Sequence, residues 1–71
     1  MNAKQFRTAR DRLALDNYQI ADLLGISARS ARRFAEGARD INEPTARLLR
    51  LILALDLTPD KVTALLHKGG L

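Results

Sequence analysis

Five helix-starting residues, Asn2, Asp16, Ser27, Asn42 and Thr58, cut the chain into stretches that suit short helices and little else. Each carries a side-chain oxygen able to accept a hydrogen bond from the free N–H groups of a first turn. Asn2 and Asp16 are followed three residues later by Gln5 and Gln19, the reciprocal pattern that satisfies two backbone donors at once. Behind each start, apolar residues recur at helical spacing. Phe6, Ala9, Leu13 and Ala14 predict a first helix over 3–14, and Ile20, Leu23 and Leu24 a second over 17–24. A third, over 28–36, turns Ala31 and Phe34 inward. Gly25 and Gly37 are the expected stops, because glycine tolerates the left-handed backbone that ends a helix. A polar loop over 38–41 leads to a fourth helix over 43–55, with Pro44 in the first turn, where its missing N–H is harmless. Thr58, Pro59 and Asp60 open a fifth, Val62, Leu65 and Leu66 form its stripe, and His67, Lys68, Gly69 and Gly70 close it.

Composition supports an all-α fold. Apolar residues make up 46% of the chain while the aromatics are only Phe6, Tyr18 and Phe34, so the interior must be built from Leu, Ile and Ala. A length of 71 residues predicts a single domain over 1–71. A domain that small buries only about 60% of the surface its unfolded chain exposes. The absence of cysteine excludes a disulfide framework and thiolate chemistry, and suits a reducing cytoplasm. The N-terminus is polar, and the longest apolar run, 51–55, falls far short of the ~20 residues a membrane span needs. A soluble, cytoplasmic protein is expected.

Twelve Lys and Arg against eight Asp and Glu give a net charge of +4, which favours nucleic acid or another anionic surface as partner. The distribution of that charge is more informative than its sum. Over 17–37 the chain reads NYQIADLLGISARSARRFAEG, two short helices joined by about three residues. Such a pair crosses steeply only if a small residue fits the crossing and a glycine turns the chain, as Ala21 and Gly25 do. With Ile20, Leu24, Ile26 and Phe34 filling the angle, the outer face of the third helix is left to Arg29, Arg32 and Arg33. Arg29 and Arg33 lie four residues apart and Arg32 three from Arg29, so the three form one ridge. A charge run is ordinarily just a solvated face; here it falls on the helix that the Ala/Gly pattern exposes.

The stretch resembles the helix-turn-helix family of phage repressors, Cro proteins and related regulators of the xenobiotic-response-element type. The likeness takes in nearly the whole chain: a helix before the motif, the QIADLLGIS core, the RSARRFAEG segment, a loop with Arg39, and a Leu-rich helix after Pro44. It implies a five-helix, lambda-repressor-like domain whose helices 2 and 3 form the motif, with Ser27, Ala28, Arg29, Arg32 and Arg33 reading bases. A physical reason stands beside it, since an arginine presents two parallel donors that match O6 and N7 of guanine in the major groove. Phosphate contacts are expected from Asn17, Tyr18 and Gln19 at the start of the second helix, from Arg39 and Asn42 in the following loop, and from Lys4 and Arg7 on the first helix. Tyr18 equally suits a surface aromatic covering the edge of the core. Two positions depart from the family pattern: Asn17 stands where Gln is common, and Glu36 comes one place later than the usual acid, which leaves Arg10 without its familiar salt-bridge partner. The resemblance further implies an autoregulatory repressor of an inverted-repeat operator. Such regulators are often carried by phages and other mobile elements, small repressors of anti-CRISPR operons among them.

Leu48, Leu49, Leu51, Ile52, Leu53 and Leu55 occupy more of the fourth helix than one core-facing stripe requires. A homodimer through Leu49, Leu53, Leu57 and Leu65 is expected, the alternative being that the fifth helix covers the excess. A two-fold dimer sets its recognition helices about 34 Å apart, hence half-sites one turn of duplex from each other. No cofactor, metal or small-molecule ligand is expected: His67 stands alone, and Ser27 and Ser30 lack a base, so the chain does not read as an enzyme. Two other readings are an antitoxin that joins repression to neutralisation of a toxin, and a protein-interaction adaptor without DNA binding.

Overall fold

The computed structural model describes residues 1–69, over which the chain forms five helices and no strand. They are α1 (Ala3–Arg12), α2 (Asn17–Leu24), α3 (Ala28–Glu36), α4 (Glu43–Ala54) and α5 (Pro59–Lys68). Each begins where its cap residue dictates. Asn2, Asp16, Ser27, Asn42 and Thr58 all have extended backbone, and their side chains accept from the N–H groups of Gln5, Gln19, Ser30, Thr45 and Lys61. Gln5 and Gln19 return the bond, their Oε1 atoms accepting from the Asn2 and Asp16 amides at 2.9 Å. Caps of this kind stabilise by about 1 kcal/mol each.

Four helices end by one device. A left-handed residue follows the helix at Ala14, Gly25, Gly37 and Asp56, with φ of 57°, 72°, 77° and 52°. Its amide donates to the carbonyl three residues back, while the next amide reaches five back: Leu15 to Arg10, Ile26 to Ala21, Ala38 to Arg33 and Leu57 to Ile52. These paired bonds satisfy carbonyls that the helix end leaves free. Ala14 and Asp56 explain why α1 and α4 stop at Arg12 and Ala54 rather than at 14 and 55. α5 closes differently. Gly69 has φ −83°, and its amide donates to the Leu65 carbonyl without a left-handed turn. Gly70, also expected in that close, lies outside the described residues.

Phe6, Ile20, Phe34, Leu49 and Ile52 are the largest fully buried side chains. The rings of Phe6 and Phe34 meet edge to face, 5.8 Å apart at 74°, joining α1 to α3. α2 packs most extensively on α3, and α3 also packs on α1, while α4 and α5 lie against α2. Buried Ala21, Ala31 and Ala35 allow these short helices to approach closely. Leu24 and Ile26 are half-buried against the same core. Among the described residues, no helix is long and apolar enough to cross a membrane.

The leucines of α4 divide differently from the expectation. Leu49 is fully buried and belongs to the core, so it offers no surface to a partner. Leu53 and Leu57 are half-buried and packed against that core. The reason is rotational: α4 turns Thr45, Ala46, Leu49 and Ile52 inward, which leaves Leu48, Leu51 and Leu55 along one flank at helical spacing. Leu51 and Leu55, with Leu65 and Leu66 of α5, are the exposed large aliphatic residues.

Candidate nucleic-acid interface

α3 is sharply two-sided. Ala31, Phe34 and Ala35 are buried, while Arg29, Arg32, Arg33 and Glu36 are all exposed. At about 100° per residue these four occupy one continuous outer face. The local cause is in the ends of the helix: Ser27 caps the start, Gly37 stops it, and α2 holds the apolar side through its extensive contact. Arg32 lies 4.0 Å from Glu36, an exposed pair one turn apart and therefore a weak one. Arg29 and Arg33 make no ion pair among the described residues.

The start of α2 adjoins this ridge. Asn17, Tyr18, Ala28, Arg29 and Arg32 line one hollow of about 260 Å³. Two predicted phosphate residues are thus brought together with three predicted base readers. Asn17 does not act alone: its Oδ1 accepts from Arg10 Nη1 at 2.9 Å, and Arg10 Nε also holds Asp11 Oδ1 at 3.0 Å. The oxygen is engaged, which leaves the amide N–H donors for an outside acceptor. Tyr18 is 76% exposed, so of its two readings the cover over the core is the one the structure removes. Gln19 is exposed, its oxygen committed to the Asp16 cap.

The remaining expected residues are more dispersed. Ser27 caps α3, its Oγ accepting from the Ser30 amide and donating to Ser30 Oγ at 2.9 Å. Arg39 folds back from the loop, its guanidinium carbon 5.7 Å from the Phe34 ring centroid and Nη1 3.5 Å from Ser30 Oγ. Asn42 caps α4 through its oxygen. Lys4 lies on the wall of a separate groove between α1 and α4, with Arg12, Arg50 and Leu53. Arg7 turns toward its own protein, where its Nη1 donates to the Ala35 carbonyl at 2.6 Å and ties α1 to the last turn of α3. A cation there also complements the negative end of the helix dipole.

Two contributors lie outside the expected set. Ser30 joins the cap residue to Arg39, and its position three residues after Ser27 is the signal that marks it. Arg10 positions Asn17, and nothing in helical spacing names that partner. On α4, Arg47 and Arg50 converge on Glu43 at 3.3 Å each. The hydrogen bond from Arg47 and then the charge of Arg50 hold the Glu43 carboxyl below the usual carboxylate range. Among the described residues, no three His, Cys, Asp or Glu come together in a way that could hold a metal ion. No family model, curated protein or solved structure matches the chain.

Proposed function

We propose that this chain is a sequence-specific DNA-binding repressor of the phage repressor and Cro type, with α2 and α3 as its helix-turn-helix. One observation carries the reading: the solvated face of α3 presents Arg29, Arg32 and Arg33 together, while the opposite face is locked into the core. A helix so mounted fits the major groove, about 12 Å wide, with guanidinium groups at the base edges. Asn17, Tyr18 and Gln19 at one side and Arg39 and Asn42 at the other then meet the phosphates that fix register. Ser27 and Ala28 enter at the start of α3, where such helices make their closest approach to the bases.

The protein acts as a homodimer in this reading. Leu51 and Leu55 on α4 and Leu65 on α5 supply exposed apolar surface, flanked by half-buried Leu53 and Leu57. Two copies related by a two-fold axis read an inverted repeat and occlude the promoter that contains it. Binding, not catalysis, is its work, in the cytoplasm of a bacterial or phage-infected cell, with autoregulation through its own concentration.

Selection of bound sites from random duplex DNA, followed by shift titration, tests this directly. An enriched, palindromic motif containing guanine in each half is the expected result. Recovery of no motif, with equal retention of all sequences, would refute it.

A further inference from the structure

The hollow between the first turns of α2 and α3 contains one apolar element among polar ones. Ala28, half-buried, contributes its methyl group between Asn17 and Tyr18 on one wall and Arg29 and Arg32 on the other. Ala28 and Arg32 are one turn apart on α3, so the methyl and the guanidinium stem are neighbours. A volume of about 260 Å³ is far more than a side-chain packing defect and opens on the side where the duplex is proposed to lie.

Resting on the DNA-binding reading above, the geometry points to a specificity pocket for the 5-methyl group of a pyrimidine standing immediately 5′ of a guanine. An arginine that pairs with O6 and N7 of guanine lies nearly in the plane of that base. Stacked bases in one strand are separated by about 3.4 Å, so the face of the guanidinium rests on whatever projects from C5 of the preceding pyrimidine. In thymine that is a methyl group, and alanine is among the residues that contact it favourably. Arg29 or Arg32 supplies the planar face and Ala28 the apolar wall, while Asn17 and Tyr18 reach the phosphate on the same side. Cytosine with no methyl leaves the hollow wet; 5-methylcytosine fills it as thymine does. The chain therefore reads a thymine–guanine step, and it responds to cytosine methylation at a cytosine–guanine step in that place.

The test uses the full chain and its selected operator, with each thymine that precedes a guanine replaced in turn by deoxyuridine, which lacks only the methyl group. At one such position per half-site the affinity should fall about three- to fivefold, the worth of one buried methyl, and 5-methylcytosine paired with guanine should bind more tightly than cytosine there. The variant Ala28→Ser should fold and bind yet respond to the missing methyl much less. If deoxyuridine at every such position leaves affinity unchanged, or if Ala28→Ser responds as fully as the natural chain, the pocket assignment is wrong while the repressor reading stands. If no sequence is preferred over any other, both fall.

Discussion

Arg10 Nη1 lies 2.9 Å from Asn17 Oδ1, a bond that crosses from the last turn of α1 to the first residue of α2. The Arg10 side chain is only 21% exposed, so the link is shielded more than a surface contact is. It fixes the carboxamide whose N–H donors are proposed to meet a phosphate. Arg10→Met keeps the apolar stem and removes the donor. Stability should fall by about 1 kcal/mol, and operator affinity should fall on every sequence alike. Urea unfolding and a shift titration on matched and mismatched operators measure the two effects. A variant with unaltered binding would show that the bond orients nothing the duplex uses.

The cations of α3 and of the following loop should separate by what they read. Arg29→Ala or Arg33→Ala should cost about 1–3 kcal/mol of binding and relax preference at one base pair. Arg39→Ala should weaken all sequences and lower the salt slope by about 1. Anisotropy titrations at several salt concentrations, on the operator and its single-base variants, distinguish these outcomes. Equal losses on every sequence for all three variants would erase the division of roles.

For dimerisation, the exposed flank of α4 is the place to intervene. Leu51→Glu with Leu55→Glu adds charge to surface that is already solvated in the monomer, so the fold should survive. Sedimentation should then report a single copy, and operator binding should weaken because each half-site is held separately. Leu49→Glu is the contrast: it places a carboxylate in the core and should unfold the chain. A Leu51/Leu55 double variant with undiminished mass would move the interface elsewhere.

Ala14 holds a left-handed backbone, φ 57°, without the freedom of glycine. The conformation is unfavourable for an L-residue by roughly 1–2 kcal/mol. Ala14→Gly relieves it and gives back part of the gain through a more flexible unfolded chain, for a net of about 0.5–1 kcal/mol. Thermal melts should move upward, by about 4–8 °C for each kcal/mol in a domain this small. Asp56→Gly should gain less, because aspartate tolerates that region better than alanine. A lower melting temperature for Ala14→Gly would show that its methyl group contributes packing that outweighs the strain.

How much of this structure is legible in the sequence depends on how local each feature is. Helix starts are set by one side chain and the amides three residues on, so Asn2, Asp16, Ser27, Asn42 and Thr58 can be read directly. The stops at Gly25 and Gly37 are equally local. Those at Ala14 and Asp56 carry no glycine to announce them, and apolar spacing alone extends both helices one or two residues too far. The exposed ridge of Arg29, Arg32 and Arg33 follows from periodicity because α3 has one small apolar face to bury. Periodicity gives a direction but not a partner, which is why it names neither the bond from Arg7 to the Ala35 carbonyl nor that from Arg10 to Asn17. Leu49 eludes it for a related reason. In a helix with leucine on most sides, only the packing of neighbouring helices decides which leucine is covered.

Phe34 touches Phe6 inward and is overlaid by Arg39 outward, although only 1% of it reaches solvent. A single aromatic ring therefore separates the deepest part of the interior from a loop arginine. Substitutions that shift the ring must also displace that arginine, so drift in the hidden residues and fidelity of promoter recognition are not independent in this molecule. A lineage of such chains can vary its interior only along paths that leave this ring in place.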